Sequence, residues 1–140
     1  PTPTKTPSST PTAASTPTVP PPGTPCPAPA ACTGTALSGC VYAILSSNTC
    51  LSCHGGGRQA PNFSTACSAY SSLVNVADTG CTGTIVIPGN AANSTLIQRV
   101  NGTGSCNPMP QGGAPLTAAQ IAVLTAWINA GAPPAGTNGW

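Results

Sequence analysis

Apolar side chains recur at helical spacing in two segments near the middle of the chain. Residues 38–51 carry three aliphatic residues at this spacing, namely Val41, Ile44 and Leu45. Residues 64–75 repeat the pattern more weakly. We therefore predict one helix over each segment, the first running directly into a motif with two cysteines.

The next apolar segment is too short and too branched to be a helix. Residues 85–87 read Ile-Val-Ile and are followed by Pro88-Gly89, which predicts an extended run that ends in a turn. Asn93 is then the candidate N-cap of a short helix with apolar positions at Leu96, Ile97 and Val100.

The clearest helix lies near the end of the sequence. Thr117 and Gln120 have the spacing of a capping box, and Gly131 supplies a stop. Between them runs an aliphatic stripe of Ile121, Leu124 and Ile128. Together the segments predict an all-α fold, a small domain over residues 26–140 with long loops between its helices.

Residues 1–25 have a different composition, since 20 of the 25 are Pro, Thr or Ser. Repeated proline forbids helix and favours extended polyproline II geometry, as in O-glycosylated stalks. We expect an extended tail that is held against a neighbouring subunit. The candidate glycosylation sites are its threonines, Thr2, Thr4, Thr6, Thr10, Thr12, Thr16, Thr18 and Thr24.

Charge is nearly absent: the 140 residues include three Lys or Arg, one acidic residue and one histidine. Nucleic-acid binding is not expected, because there is no basic patch to neutralise phosphates. A single carboxylate side chain also excludes paired-carboxylate catalysis and calcium or magnesium cages. No apolar run is long enough to span a membrane.

Eight cysteines in a chain of this size indicate an oxidising compartment, unless a metal takes up the thiols. The sequence starts at Pro1, and we expect a mature exported protein whose signal has been cleaved. The predicted location is extracellular or at the cell surface, with the periplasm as the second choice.

Residues 50–54 read Cys-Leu-Ser-Cys-His, the attachment signature of c-type haem. Cys50 and Cys53, about one helical turn apart, would form thioethers to the two vinyl groups, and His54 would ligate the iron. A zinc site lacks a second ligand pair, and a thioredoxin-like pair lacks its βαβ context. Ordinary disulfides would leave unexplained why the chain's one histidine follows Cys53.

The second axial ligand follows by elimination. No other histidine exists, and the one methionine, Met109, lies between Pro108 and Pro110 in a polar loop. The two prolines stiffen this loop, and a thioether ligand would raise the haem potential. The alternative is that Met109 only fills a gap in the core.

Several short motifs follow in order along the chain. They read Ile-Pro-Gly-Asn at 87–90, Ser-Thr-Leu-Ile-Gln-Arg-Val at 94–100, Met-Pro at 109–110, Gly-Gly at 112–113, Pro-Leu-Thr at 115–117 and Trp-Ile-Asn-Ala-Gly-Ala at 127–132. With Cys50 to His54, the stretch from about residue 40 to 133 resembles the monohaem cytochrome c domains common in planctomycetes and myxobacteria.

This resemblance implies a small cytochrome c-like domain with one covalent haem c, His54 and Met109 as the axial ligands, and thioethers at Cys50 and Cys53. Two features depart from the family pattern. Its members usually carry ordinary surface charge and generally have fewer additional cysteines.

Six cysteines remain for disulfides, and sequence alone permits fifteen pairings. Cys81 and Cys106 flank the segment leading to Met109, so a bridge between them would brace the ligand loop. The other suggested pairs are Cys32–Cys40 and Cys26–Cys67, with an intermolecular bridge through Cys26 left open. Arg58 and Arg99 are candidates to pair with the haem propionates.

We expect an electron carrier and no enzyme, because two axial ligands leave the iron no open position for a substrate. The low charge and extra cysteines favour a self-assembling, filament-forming subunit, whose partners are a redox protein or copies of itself. The alternatives are a glycosylated structural fibre subunit in which haem is secondary, or a soluble periplasmic carrier. A peroxidase-like enzyme would require Met109 to be off the iron.

Overall fold

The structure, a computed structural model, describes residues 40–134, and the predicted tail lies outside the described residues. Within this range the protein is helical and its extended segments form only isolated bridges, in agreement with the all-α prediction. The helices are α1 (Cys40–Leu45), α2 (Asn48–His54), α3 (Ala66–Leu73), α4 (Thr95–Asn101) and α5 (Ala118–Asn129). None of the helices in residues 40–134 is long and apolar enough to cross a membrane.

Helix α5 is the centre of the core and forms as predicted. Thr117 Oγ1 accepts a hydrogen bond from the Gln120 backbone N–H, and the Gln120 side chain accepts one from the Thr117 N–H at 2.8 Å. The helix packs against α1 and α4. Its inner face buries Leu124, Trp127 and Ile128 completely, and each such side chain contributes about 2 kcal/mol of hydrophobic stabilisation.

The helix predicted over residues 38–51 is two helices, a correction to the sequence analysis. The backbone of Ser47 is extended, with φ −60° and ψ 150°, and its carbonyl accepts the first hydrogen bonds of α2, from Cys50 and Leu51. Serine favours such helix ends because its side chain competes for backbone hydrogen bonds. The break at Ser46 and Ser47 separates α1 from α2, which has the cysteine motif as its last turn.

The run at residues 85–87 is extended as predicted and joins two parts of the core. The Val86 N–H donates to the Leu73 carbonyl at 3.1 Å, and the Leu96 N–H donates to the Ile85 carbonyl at 3.0 Å. This arrangement places α4 beside the segment that follows α3, although no continuous sheet forms among the described residues.

The prediction that Asn93 caps α4 is wrong, because Ser94 occupies the N-cap position. The Ser94 side chain does not cap the helix either. Its hydroxyl donates to the Asn90 carbonyl at 2.8 Å and accepts from the Ile87 N–H at 2.9 Å, and the residue is fully buried. Burial of this hydroxyl draws residue 94 inward and moves the start of α4 to Thr95.

Cys81 and Cys106 form the predicted disulfide, 25 residues apart in sequence. Cys67 is also disulfide-bonded. Cys26 and Cys32 lie outside the described residues, so the pairs Cys32–Cys40 and Cys26–Cys67 stay predictions.

Removing the Cys81–Cys106 bridge is expected to cost about 3 kcal/mol of stability, because the cross-link limits the entropy of a 25-residue loop in the unfolded chain. Urea denaturation of the Cys81→Ala/Cys106→Ala variant measures this loss. An unchanged unfolding midpoint would show that the bridge does not constrain the loop.

Candidate functional site

The last turn of α2 carries the three residues of the predicted haem attachment motif. Cys50 is half-buried, Cys53 is exposed, and His54 is the final residue of the helix. Within the described part of the chain both thiols are free, whereas Cys81 and Cys106 are bridged. The reading of Cys50 and Cys53 as ordinary disulfide partners therefore has no support in this structure.

The His54 ring has a defined orientation and tautomer. Its Nδ1 lies 3.0 Å from the Pro61 carbonyl oxygen. A carbonyl can only accept a hydrogen bond, so Nδ1 carries the proton and donates. In the neutral imidazole this leaves the lone pair on Nε2, the nitrogen that would bind a metal, as in ligating histidines whose other nitrogen donates to a backbone carbonyl.

A short loop after α2 holds this ring from two sides. The Phe63 ring lies with its centroid 5.0 Å from that of His54, and the Phe63 N–H donates to the His54 carbonyl at 2.8 Å. Gly55 allows the chain to leave the helix here, because a Cβ at this position would lie 2.6 Å from the Leu51 carbonyl oxygen. Sequence reasoning missed Gly55, Pro61 and Phe63. Their closeness in sequence to the motif was the signal that could have identified them as contacts of His54.

The motif faces a cavity of about 510 Å³, within the range of small-molecule and cofactor sites. Cys50, Cys53 and His54 line it on one side, and Met109 lines it as well. Most of the remaining wall is apolar. It includes Leu45, Phe63, Val76, Ile85, Leu96, Val100, Leu116 and Leu124.

Met109 reaches this cavity from the loop that follows α4. Its side chain is half-buried, and its backbone N–H donates to the Arg99 carbonyl at 2.9 Å. The structure thus brings together around one cavity four residues that the sequence analysis singled out separately: Cys50, Cys53, His54 and Met109.

Arg99 also lines the cavity, but its guanidinium group is already engaged. Nε and Nη2 donate to the two oxygens of Asp78 at 2.9 and 2.8 Å, and Nη1 donates to the Asn107 carbonyl at 3.0 Å. Arg58, the other candidate for the propionates, is exposed and does not line the cavity. Both propionate assignments stay predictions.

Asp78 is the only acidic side chain of the protein and was missed as a site residue. Besides Arg99, it accepts a hydrogen bond from the Thr95 hydroxyl at 2.7 Å and one from the Gly80 N–H at 3.0 Å. The Arg99 hydrogen bond is the main reason why the pKa of Asp78 lies below its ordinary value, and partial burial opposes it.

Because the folded state lowers the pKa of Asp78, the stabilisation it provides is complete above the pKa of the unfolded chain, about 3.9, and disappears as pH falls through the folded value. We expect Asp78→Asn to lower the free energy of unfolding by about 3 kcal/mol at pH 7, as for a broken buried ion pair. The difference from the parent protein should shrink below about pH 4. Urea titrations between neutral and acid pH measure it, and a pH-independent difference would contradict this account.

Among residues 40–134 there is no group of three or more His, Cys, Asp or Glu side chains that could hold a metal ion. A haem iron needs fewer ligands from the protein, since the porphyrin supplies four nitrogens and the protein only the axial ligands.

Comparison of this chain with protein families, curated proteins and solved structures gives no match.

The residues around the cavity fit a covalent haem. Two free thiols on one helical turn, an adjacent histidine whose Nδ1 donates to the Pro61 carbonyl, and an apolar cavity with a thioether on its wall are the donors that covalent attachment and iron ligation would need.

Proposed function

We propose that the protein is an exported monohaem c-type cytochrome that carries electrons. The observation that carries the proposal is the placement of His54. Its Nδ1 contacts the Pro61 carbonyl, which leaves Nε2 as the nitrogen that would bind iron, beside two free thiols and on the wall of the cavity that Met109 also lines.

Each residue has a distinct part in holding the cofactor. Cys50 and Cys53 would bond the porphyrin through thioethers and fix its position relative to α2. Nε2 of His54 and the sulfur of Met109 would ligate the iron. The apolar wall would exclude water from the porphyrin faces, which favours a high potential together with the thioether ligand.

When bound, the haem supplies an iron that gains and loses one electron between Fe(II) and Fe(III). With His54 and Met109 both engaged, the protein leaves no coordination position for a substrate, which favours electron transfer over peroxidase-like catalysis.

Spectroelectrochemical titration of the purified protein tests this function. We expect a single one-electron transition, low-spin spectra in both oxidation states and carbon monoxide binding by only a small fraction of the reduced protein. A high-spin ferric spectrum with peroxidase turnover would instead favour the enzyme alternative.

We also propose that copies of the protein assemble into an extracellular filament. The formal net charge is only +2, and two haem propionates would cancel it, so little electrostatic repulsion would oppose contact between copies. The Cys81–Cys106 disulfide is consistent with an oxidising location. If the haems of adjacent copies lie close together, such a filament conducts electrons, whereas widely separated haems favour the structural-fibre alternative.

Deletion of residues 1–25 is expected to leave the haem spectrum unchanged and to abolish assembly, because the tail is proposed to bind a neighbouring subunit. Electron microscopy and optical spectra of the truncated protein measure the two effects. Intact mass of the full chain should also show hexose additions on the tail. Normal filaments from the truncated protein would contradict the role of the tail without affecting the cytochrome proposal.

A further inference from the structure

Arg99, in α4, holds the part of the loop next to Met109 at two points. The Arg99 backbone carbonyl accepts the Met109 N–H at 2.9 Å, and Nη1 of its side chain donates to the Asn107 carbonyl at 3.0 Å. The main chain is thus held at residue 109 itself and again two residues earlier.

The guanidinium group is itself fixed by a planar two-point contact. Nε and Nη2 donate to separate oxygens of Asp78, whose position is set by the Thr95 hydroxyl and the Gly80 N–H. The side chains of Arg99 and Asp78 are only 12% and 8% exposed. Such bidentate pairing attracts the two groups and also fixes the orientation of the guanidinium plane. A lysine ammonium cannot form the same two-point contact.

Stability alone is a weak explanation for this ion pair. Desolvation of two charges offsets much of their attraction, so a nearly buried pair is poor evidence of net stabilisation. The protein nevertheless places its one acidic side chain here, where it aligns a guanidinium group with the ligand loop. The Cys81–Cys106 bridge connects the same two segments, just after Asp78 and just before Asn107.

We propose that Arg99 is a positioning residue for Met109: held by Asp78, it fixes the loop so that the Met109 sulfur stays directed at the haem iron. The inference rests on the proposed function. It gives Arg99 a role that is separate from pairing with a propionate, because Arg99 acts on the iron only through Met109.

The test uses the full-length, haem-loaded protein and the variant Arg99→Lys. This variant keeps the positive charge and loses the two-point hydrogen bonding to Asp78. With the loop released, the fraction of reduced protein that binds carbon monoxide at a fixed concentration should rise roughly 10-fold or more, and the potential should fall. The matched control is Asn101→Ala, an exposed position at the end of the same helix, which should leave both values unchanged.

A double-mutant cycle separates positioning from a direct effect on the haem. In a Met109→Ala background, Arg99→Lys should change neither carbon monoxide binding nor the potential further. Thr95→Val, which removes only the hydroxyl that donates to Asp78, should shift both readouts in the same direction by a smaller amount, and it serves if the lysine variant does not fold.

Three results would overturn the proposal. Parental carbon monoxide binding and potential in both Arg99→Lys and Thr95→Val would show that the loop needs no such support. An equal shift with and without Met109 would show a direct electrostatic effect. If Met109→Ala alone leaves the iron closed, the ligand assignment within the proposed function fails, and this inference fails with it.

Discussion

Replacing Cys50 and Cys53 together with alanine is expected to abolish covalent haem attachment. The two thiols lie on one helical turn at the cavity wall and are free within the described residues, so in the proposed function they are the sulfurs that would form both thioethers. The variant should lose the porphyrin on denaturation and extraction, while a single replacement should retain one thioether. Intact mass measures the number of attached groups directly.

The matched control is the Cys81→Ala/Cys106→Ala variant, which also removes two sulfurs. These cysteines do not line the cavity, so this variant should keep one covalent haem despite its lower stability. Equal loss of haem from both variants would point to misfolding. Unchanged covalent haem in Cys50→Ala/Cys53→Ala would contradict the assignment.

Replacing Met109 with alanine is expected to lower the haem potential on the order of 100 mV, within the range of about 0.8 V that axial ligands control. It should also open the iron to carbon monoxide, since no other methionine and no second histidine exists in the chain to replace the lost sulfur. Spectroelectrochemistry and carbon monoxide titration of the reduced protein measure both effects.

Met109→Leu is the control that separates ligation from packing. Leucine has a similar volume and fills the same part of the cavity, but it has no sulfur. If Met109 ligates the iron, leucine and alanine should give the same low potential and the same open site. Parental behaviour of the leucine variant would show that Met109 only fills space.

Features encoded by neighbouring residues were predictable from the sequence. The capping box of α5 depends on Thr117 and Gln120, which are close in sequence, and it forms with both of its hydrogen bonds. The Cys-Leu-Ser-Cys-His motif is equally local, because Cys50, Cys53 and His54 share one helical turn, and haem attachment there stays a prediction. The Cys81–Cys106 pair is not local, since its partners are 25 residues apart, but it was suggested by the way it flanks the segment leading to Met109, and it is present.

Features that depend on distant partners were not predictable in the same way. Ser94 replaces Asn93 as the N-cap because its hydroxyl finds partners at Ile87 and Asn90 in the folded interior. The pairing of Asp78 with Arg99 spans 21 residues and needs the fold to bring them together. A lone acid in a chain with so few cations was nevertheless a signal that it would be paired.

The His54 ring is held by residues that follow it directly in the chain. The chain leaves the helix at Gly55, where a Cβ would lie too close to the Leu51 carbonyl oxygen. The loop that follows brings the Pro61 carbonyl to Nδ1 of His54. One end of the ring is thereby held by the protein, and in the proposed function the other end would bind the iron.

The central claim is that this chain holds one covalent haem, and a pyridine haemochrome assay combined with intact mass of the denatured, acid-extracted protein tests it most directly. We predict one haem per chain, retained after extraction and located by peptide mapping to the peptide that contains Cys50, Cys53 and His54. A protein purified from a host competent in cytochrome c maturation that carries no haem after extraction would contradict the claim.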